Sequence, residues 1–215
     1  MITHYDRYLP HILPPGETVF ITFRLHGSLP KEVVDRLMNE QKTTELQIKQ
    51  GFPDESAAQK QALLTSRKGY FSKFDTCLDT YAEGNHWLTR TNIVNIVKSA
   101  IHYHADRLSY ELHAYCIMSN HVHLLVTIME SDTSFFAILK SLKSFTARKA
   151  NTLLQRTGLP FWQPESYDHV IRTNQEYKNV IAYILNNPVK SGLAETWEDW
   201  PHSYWVERSP DLPVR

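Results

Sequence analysis

Two alternating runs, "LSYELHAYCIM" and "HVHLLVTIM", follow each other with only Ser119 and Asn120 between them. So short a turn suits an antiparallel hairpin, and the two runs are expected to pair. Period two also divides the second run: Val122, Leu124 and Val126 share one face, while His121 and His123 share the other. Upstream, "ETVFITFRLHG" repeats the pattern, setting Val19, Ile21, Phe23 and Leu25 against Phe20, Thr22, Arg24 and His26 before Gly27 and Pro30 close it. An antiparallel sheet is therefore the element around which the rest must pack.

Helical spacing accounts for most of the remainder. "GNHWLTRTNIVNIVKSAIHYH" offers Thr89 or Thr91 as an N-cap, then Ile93, Val94, Ile96, Val97, Ala100 and Ile101 along about four turns. "TSFFAILKSLKSFTARKANTLLQR" reads as a long amphipathic helix capped by Thr133 or Ser134. Phe136, Leu139, Leu142, Phe145, Leu153 and Leu154 are expected toward the core, with Lys140, Lys143, Arg148 and Lys149 on the other side. A short strand, "YDHVIR", precedes "TNQEYKNVIAYILNNP", a helix capped by Thr173 or Asn174 and expected to stop at Pro188. Residues from 31 to about 81 are polar and helical in pattern, broken by "GFP" at 51–53.

The order of elements predicts an α+β fold, a ferredoxin-like βαββαβ antiparallel sheet with helices on one face. To this are added a helical insertion after the first strand, about 31–81, and an extra C-terminal helix bearing Tyr183. One domain is expected over residues 1–215, with a tail from about 191 to 215.

A chain of 215 residues, 42% hydrophobic, can bury one core. The longest apolar stretch, around residues 121–129, is far shorter than a membrane span, and no charged start leads into an apolar segment, so a soluble cytoplasmic protein is expected. Cys77 and Cys116 lie in no C-x-x-C pair and read as reduced core residues. The formal net charge of zero argues against indiscriminate coating of nucleic acid, yet the charge is unevenly placed. Residues 140–190 hold eight basic and three acidic side chains, a local +5, followed by two basic and five acidic side chains in 191–215.

Two imidazoles about 7 Å apart along a strand can converge on one cation if a third ligand approaches from elsewhere. Histidine suits Zn²⁺, Mn²⁺ or a similar metal, and two residues do not choose among them. The plainer reading is a pair of histidines on the wet face of a sheet. His102 and His104 have the same spacing at the end of a predicted helix, where they diverge by about 200° and cannot easily chelate.

Tyr183 and Asn187 lie one helical turn apart, at the edge of the stripe Tyr177, Val180, Ile181 and Ile184. A phenol is a poor nucleophile at neutral pH, but attack on phosphorus is feasible when a cation polarises the phosphate and a neighbour takes the proton. His121, His123 and Asn187 as metal ligands, with Tyr183 as the attacking group, form one coherent set. Standing alone, Tyr183 would read as an amphipathic residue at a core boundary.

H-hydrophobe-H on a strand, followed by Tyr-x-x-x-Asn-Pro in "YILNNPVKSGL", resembles the REP-associated tyrosine transposases, a branch of the single-tyrosine transposases in the HUH nuclease superfamily. "HAYCIMSNHVHLLV", "LKSFTARKAN", "FWQPESYDHVIR" and "YKNVIAYILNNPVKSGL" extend the resemblance from about Thr18 to Ser203. It implies a ferredoxin-like fold and an endonuclease and strand-transferase of single-stranded DNA that depends on Mg²⁺ or Mn²⁺. It also implies a covalent 5′-phosphotyrosine link at Tyr183, palindromic hairpins as DNA partner, a nucleoid-associated location and action as a monomer. His121 and His123 match the metal-binding histidines, and Asn187 stands where related enzymes place a glutamine. Family members usually read Met-Pro-Asn before the pair, whereas here Ser119 replaces the proline.

Lys140, Lys143, Arg148, Lys149 and Arg172, with Arg24, His26 and Lys190 as weaker candidates, are the expected phosphate contacts. Tyr167, Phe161 and Trp162 are candidates for base stacking, with core packing preferred for Trp162. The resemblance also implies that Asp168 and His169 lie near the site, either to tune it or to bind DNA. The acidic tail either packs on the body or covers the basic stretch. Two alternatives compete: a hairpin-binding protein without catalysis, and a hydrolase of small phosphoesters, which would leave Tyr183 and the basic stretch without a purpose.

Overall fold

Alternation decides the centre of the fold. In the computed structural model, which describes residues 4–6, 10–12 and 15–207, a short antiparallel ribbon of β1 (His4–Asp6) and β2 (Pro10–Ile12) precedes a five-stranded antiparallel sheet. The sheet consists of β3 (Thr18–Leu25), β4 (Tyr110–Ile117), β5 (His121–Ile128), β6 (Trp162–Val170) and β7 (Ser203–Trp205), in the order β6-β3-β5-β4-β7. The first four of these strands in sequence reproduce the predicted ferredoxin-like arrangement, with β4 and β5 forming the hairpin around Ser119 and Asn120.

Two compact units result, one from the chain before Gly27 and after Asn85, the other from residues 27–85. In the first, α3 (Thr91–Asp106) and α4 (Phe135–Leu153) cover one sheet face. Ile93, Val94, Val97 and Ile101 of α3 and Ile138, Leu139 and Leu142 of α4 meet Val19, Ile21, Phe23, Val122, Leu124 and Val126 there. Burying that many branched and aromatic side chains is the main stabilising contribution, about 1.5–3 kcal/mol for each fully buried one. The other face lies under α5 (Asn174–Lys190), whose Tyr183 and Tyr177 pack on Phe20 and His113. His113 reaches that face because β4 has a register shift between Leu112 and Ala114.

Three expectations need correction. Ser134 caps α4, but the core stripe is Phe135, Ile138, Leu139, Leu142, Thr146 and Ala150; Phe136, Phe145 and Leu153 are 39%, 40% and 48% exposed. Phe135 rather than Phe136 faces the sheet, a rotation of one residue, or about 100°. Pro188 does not stop α5, because in its last turn the ring forfeits a single backbone bond and the helix continues to Lys190. β6 begins at Trp162, five residues before the predicted strand, and tolerates Pro164 because it is an edge strand with a register shift against Phe23 and Leu25. Of the two placements expected for the tail, packing on the body is the one seen: it joins the sheet as β7 beside β4, held also by Trp200 Nε1 donating to Ile117 O and by the Lys98 ammonium on Pro201 O.

In the second unit, α1 (Lys31–Gly51) and α2 (Ala57–Thr80) pack as a helical hairpin, separated at the "GFP" break. Ser56 caps α2 by accepting from Gln59 N at 3.1 Å. Their seam is polar: Ser66 Oγ donates to Gln41 Oε1 at 3.3 Å, and Arg67 Nε to Glu45 Oε1 at 3.0 Å. Asn85 N bonds Gly27 O at 3.2 Å, and a Cβ at Gly84 would collide with Ser28 O, so the two ends of the segment close on a glycine. Among the described residues, no helix is long and apolar enough to cross a membrane.

Candidate functional site

The cross-strand register assembles the α5-side face residue by residue. Thr22 of β3 lies opposite His123 of β5, Arg24 lies opposite His121, and Cys116 of β4 flanks His123 on its other side. The two imidazoles turn toward each other, with Nε2 atoms 3.0 Å apart and ring planes at 76°. Their other nitrogens are taken: His121 Nδ1 lies 2.6 Å from Asn120 Oδ1, and His123 Nδ1 lies 2.7 Å from Thr22 Oγ1.

Helix α5 brings the remaining groups. Thr173 caps it by accepting from Glu176 N at 3.1 Å, and Glu176 Oε1 takes His169 Nε2 at 2.8 Å, tying the helix start to β6. Two turns later the Tyr183 ring stands edge-on to His123, 5.5 Å between centroids, and to Phe20 at 5.9 Å. Phe20 in turn stacks on His123 at 5.6 Å and meets Tyr167 edge-on at 6.3 Å. Asn187 Nδ2 lies 3.1 Å from His123 Nε2, and the Lys190 ammonium is 6.0 Å from the Tyr183 ring centre. His121, His123 and Asn187 are buried, and Tyr183 is half-buried. Burial first, and the Lys190 charge second, push His123 down to about 3, so its imidazole is neutral at physiological pH.

This donor set fits a divalent cation. Both imidazoles offer Nε2 toward one point because their Nδ1 atoms are engaged elsewhere, and the Asn187 amide reaches the same point. Turned about its Cγ bond, that amide presents its oxygen there. Nitrogen and carbonyl donors suit Mn²⁺, Mg²⁺ or Zn²⁺, without selecting one.

The cation candidates fall in different places. Arg24 is buried on the site face beside His121, and Arg172 is exposed two residues after β6 ends. Lys140, Lys143, Arg148 and Lys149 belong to α4, on the opposite layer. Lys143 donates to Gln163 O at 2.6 Å and Pro164 O at 3.0 Å, so it ties α4 to β6, while Arg148 and Lys149 are turned about 140° and 120° away from it around the helix. Trp162 is a core residue whose Nε1 donates to Thr146 Oγ1 at 2.8 Å, and Phe161 is buried with it. Of the three stacking candidates, only Tyr167 shares the site face. His102 and His104 diverge as expected, toward Tyr115 and Tyr110. Cys77 and Cys116 are in no disulfide, and the Cys116 thiol contacts Met118 Sδ at 3.4 Å.

Thr22, Asn120 and Phe20 were not foreseen as parts of the site. Asn120 adjoins His121 in sequence but reads as a turn residue. Thr22 and Phe20 become visible only once the register of β3 on β5 is known. Ser119, in the position where the resemblance expects proline, is held by His86 Nδ1 at 2.8 Å from its hydroxyl and by Leu88 N on its carbonyl at 3.1 Å.

Comparison with known proteins bears on this arrangement. The family model described as "Transposase IS200 like" matches residues 83–187. A candidate REP-associated tyrosine transposase of Haemophilus influenzae is 32% identical over 123 residues, 53% of this chain and 69% of that protein. The REP-associated tyrosine transposase of Escherichia coli is 28% identical over 137 residues, 57% of this chain and 78% of that protein. Among solved structures, a REP-associated tyrosine transposase bound to a REP hairpin shares the fold, with a TM-score of 0.52 at 20% identity over 93% of this chain and 80% of that one.

Proposed function

The chain belongs to the REP-associated tyrosine transposases, and on that premise we propose that it cuts and rejoins single-stranded DNA at palindromic hairpins, with Tyr183 as nucleophile. The observation that carries the proposal is the convergence of His121, His123 and Asn187 on one point beside the Tyr183 ring. A phenol, two inward-facing imidazoles and an amide on one sheet face have a joint use in phosphoryl transfer.

Tyr183 forms an oxygen–phosphorus bond as the bond from phosphorus to the 3′ oxygen breaks. The phenolic proton is transferred, in net terms, to the leaving 3′ oxygen. The DNA 5′ end stays on the enzyme, and the 3′-OH can attack the same phosphorus to rejoin strands. His121, His123 and Asn187 would hold a divalent cation, Mg²⁺ or Mn²⁺, which when bound supplies polarisation of the phosphate. Phe20 holds the Tyr183 and His123 rings in fixed relation, which limits the reorganisation needed for in-line attack.

Hairpin binding is proposed for this chain because its structural relative is a hairpin complex. Its phosphates would meet Arg172 and Arg24 on the site side. Lys140, one turn before Lys143 on the flank nearest β6, extends that band around the sheet edge. Incubating the protein with labelled hairpin DNA and Mn²⁺ should give a denaturation-resistant protein–DNA species. Tyr183→Phe should bind the hairpin yet form none, and an adduct surviving that substitution would sink the assignment. Hairpin binding without any adduct in the wild type would leave only the non-catalytic reading.

A further inference from the structure

We infer that Thr22 and Asn120 are positioning residues that commit His121 and His123 to a common cation, each by engaging the outward nitrogen of one imidazole. The inference rests on the reading of the two histidines as metal ligands. A ligating imidazole nitrogen must be unprotonated, so in the neutral ring the proton must sit on the other nitrogen. Which nitrogen carries it is set by the partner of the non-ligating one.

The two partners differ in kind. Asn120 Oδ1 can only accept, and at 2.6 Å from His121 Nδ1 it places the proton there, leaving Nε2 with its lone pair. Thr22 Oγ1, 2.7 Å from His123 Nδ1, can accept or donate. Without a cation, His123 can carry its proton on Nε2, aimed at His121 Nε2 3.0 Å away, while the Thr22 hydroxyl donates to Nδ1 and the Asn187 amide is turned so that its oxygen, not its nitrogen, faces Nε2. To ligate, His123 must carry the proton on Nδ1, and the hydroxyl rotates to accept it. His121 is thus fixed in its ligating form, whereas His123 is convertible, and the Thr22 hydroxyl is the group that permits both states.

Burial makes these partners hard to replace with water, since Thr22, Asn120 and both histidines are all buried. The Asn120 side chain is also directed by its own turn, because Ser119 is bound through its hydroxyl by His86 and through its carbonyl by Leu88. Thr22 arrives from a strand 101 residues earlier, so β3 contributes to the site a group that no local motif encodes.

The test uses the full chain. Mn²⁺ affinity is measured by calorimetry for wild type, Thr22→Val, Thr22→Ser, Asn120→Ala and His121→Ala, and thermal unfolding shows which variants are folded. Thr22→Val and Asn120→Ala should lose about 10–100-fold in affinity, and Thr22→Ser should restore most of it. Independently of any variant, ¹⁵N shifts of the wild-type histidines should place the His121 proton on Nδ1 throughout. The same spectra should show the His123 proton moving from Nε2 to Nδ1 when Zn²⁺, a diamagnetic probe, is added. A folded Thr22→Val protein with wild-type Mn²⁺ affinity, or a His123 tautomer unmoved by Zn²⁺, overturns the inference. Equal Mn²⁺ binding by wild type and His121→Ala instead overturns the ligand reading beneath it.

Discussion

His123 and Leu124 are consecutive residues of one strand, both 0% exposed, yet they point into different chemistries. Leu124 faces α3 and α4 among side chains whose only demand is to be packed. His123 faces α5, where its ring nitrogens meet Thr22, His121 and Asn187. Burial therefore does not distinguish core from site in this sheet. What separates them is that polar groups out of water must be hydrogen-bonded, and bonding fixes their direction. The α3/α4 face stabilises through area, and the α5 face gives up some of that area in exchange for orientation.

The sharpest way to break this contrast is to truncate neighbours on opposite faces. His123→Ala should reduce metal-dependent hairpin cleavage to background while leaving urea unfolding cooperative. Leu124→Ala should cost about 2–5 kcal/mol in urea unfolding and leave cleavage chemistry intact in whatever fraction is folded. If both substitutions chiefly affected stability, the division of labour between faces would be wrong.

Acid should act on the α5 face. Burial pushes His113 down to about 4 and His123 to about 3, against about 6.5 in an unfolded chain. Below about 6.5 the unfolded chain takes up protons that the folded face refuses, so stability is full above that pH and falls as the pH drops toward 4. The slope is at most about 1.4 kcal/mol per pH unit for each histidine. Thermal unfolding at pH 7, 6 and 5 should show the decline, and His113→Phe should flatten it; an equally steep decline in that variant would assign it elsewhere.

The smallest expected effect concerns the band around the sheet edge. Lys140→Ala should leave unfolding unchanged and reduce the slope of log hairpin affinity against log salt by about one. An unaltered slope would confine DNA contact to the α5 side.

Period two was legible wherever a strand carried it, which is why β3, β4, β5 and the facing of His121 and His123 follow from sequence. Helix caps at Ser134 and Thr173 were legible as short polar residues ahead of apolar spacing. The packed face of α4 was not, because Phe135 and Phe136 are equally apolar and only contact with the sheet chooses between them. β7 was hidden for a related reason: three residues carry no period, and their strand form comes from pairing with β4. Thr22 stayed silent because its role is a register, a relation between strands that neither strand states alone.

Strand β7 also bears on how the chain is made. β4 pairs with β5 early in synthesis, but its outer side acquires a partner only when Ser203–Trp205 appears, some 86 residues after β4 ends. During that interval the nascent sheet offers an open rim rich in Tyr115 and Ile117, a template for pairing with another chain. Pairing with Ser203–Trp205 covers Ala114–Cys116 of that rim, so the stretch of β4 most prone to such pairing is the last part of the sheet to be closed.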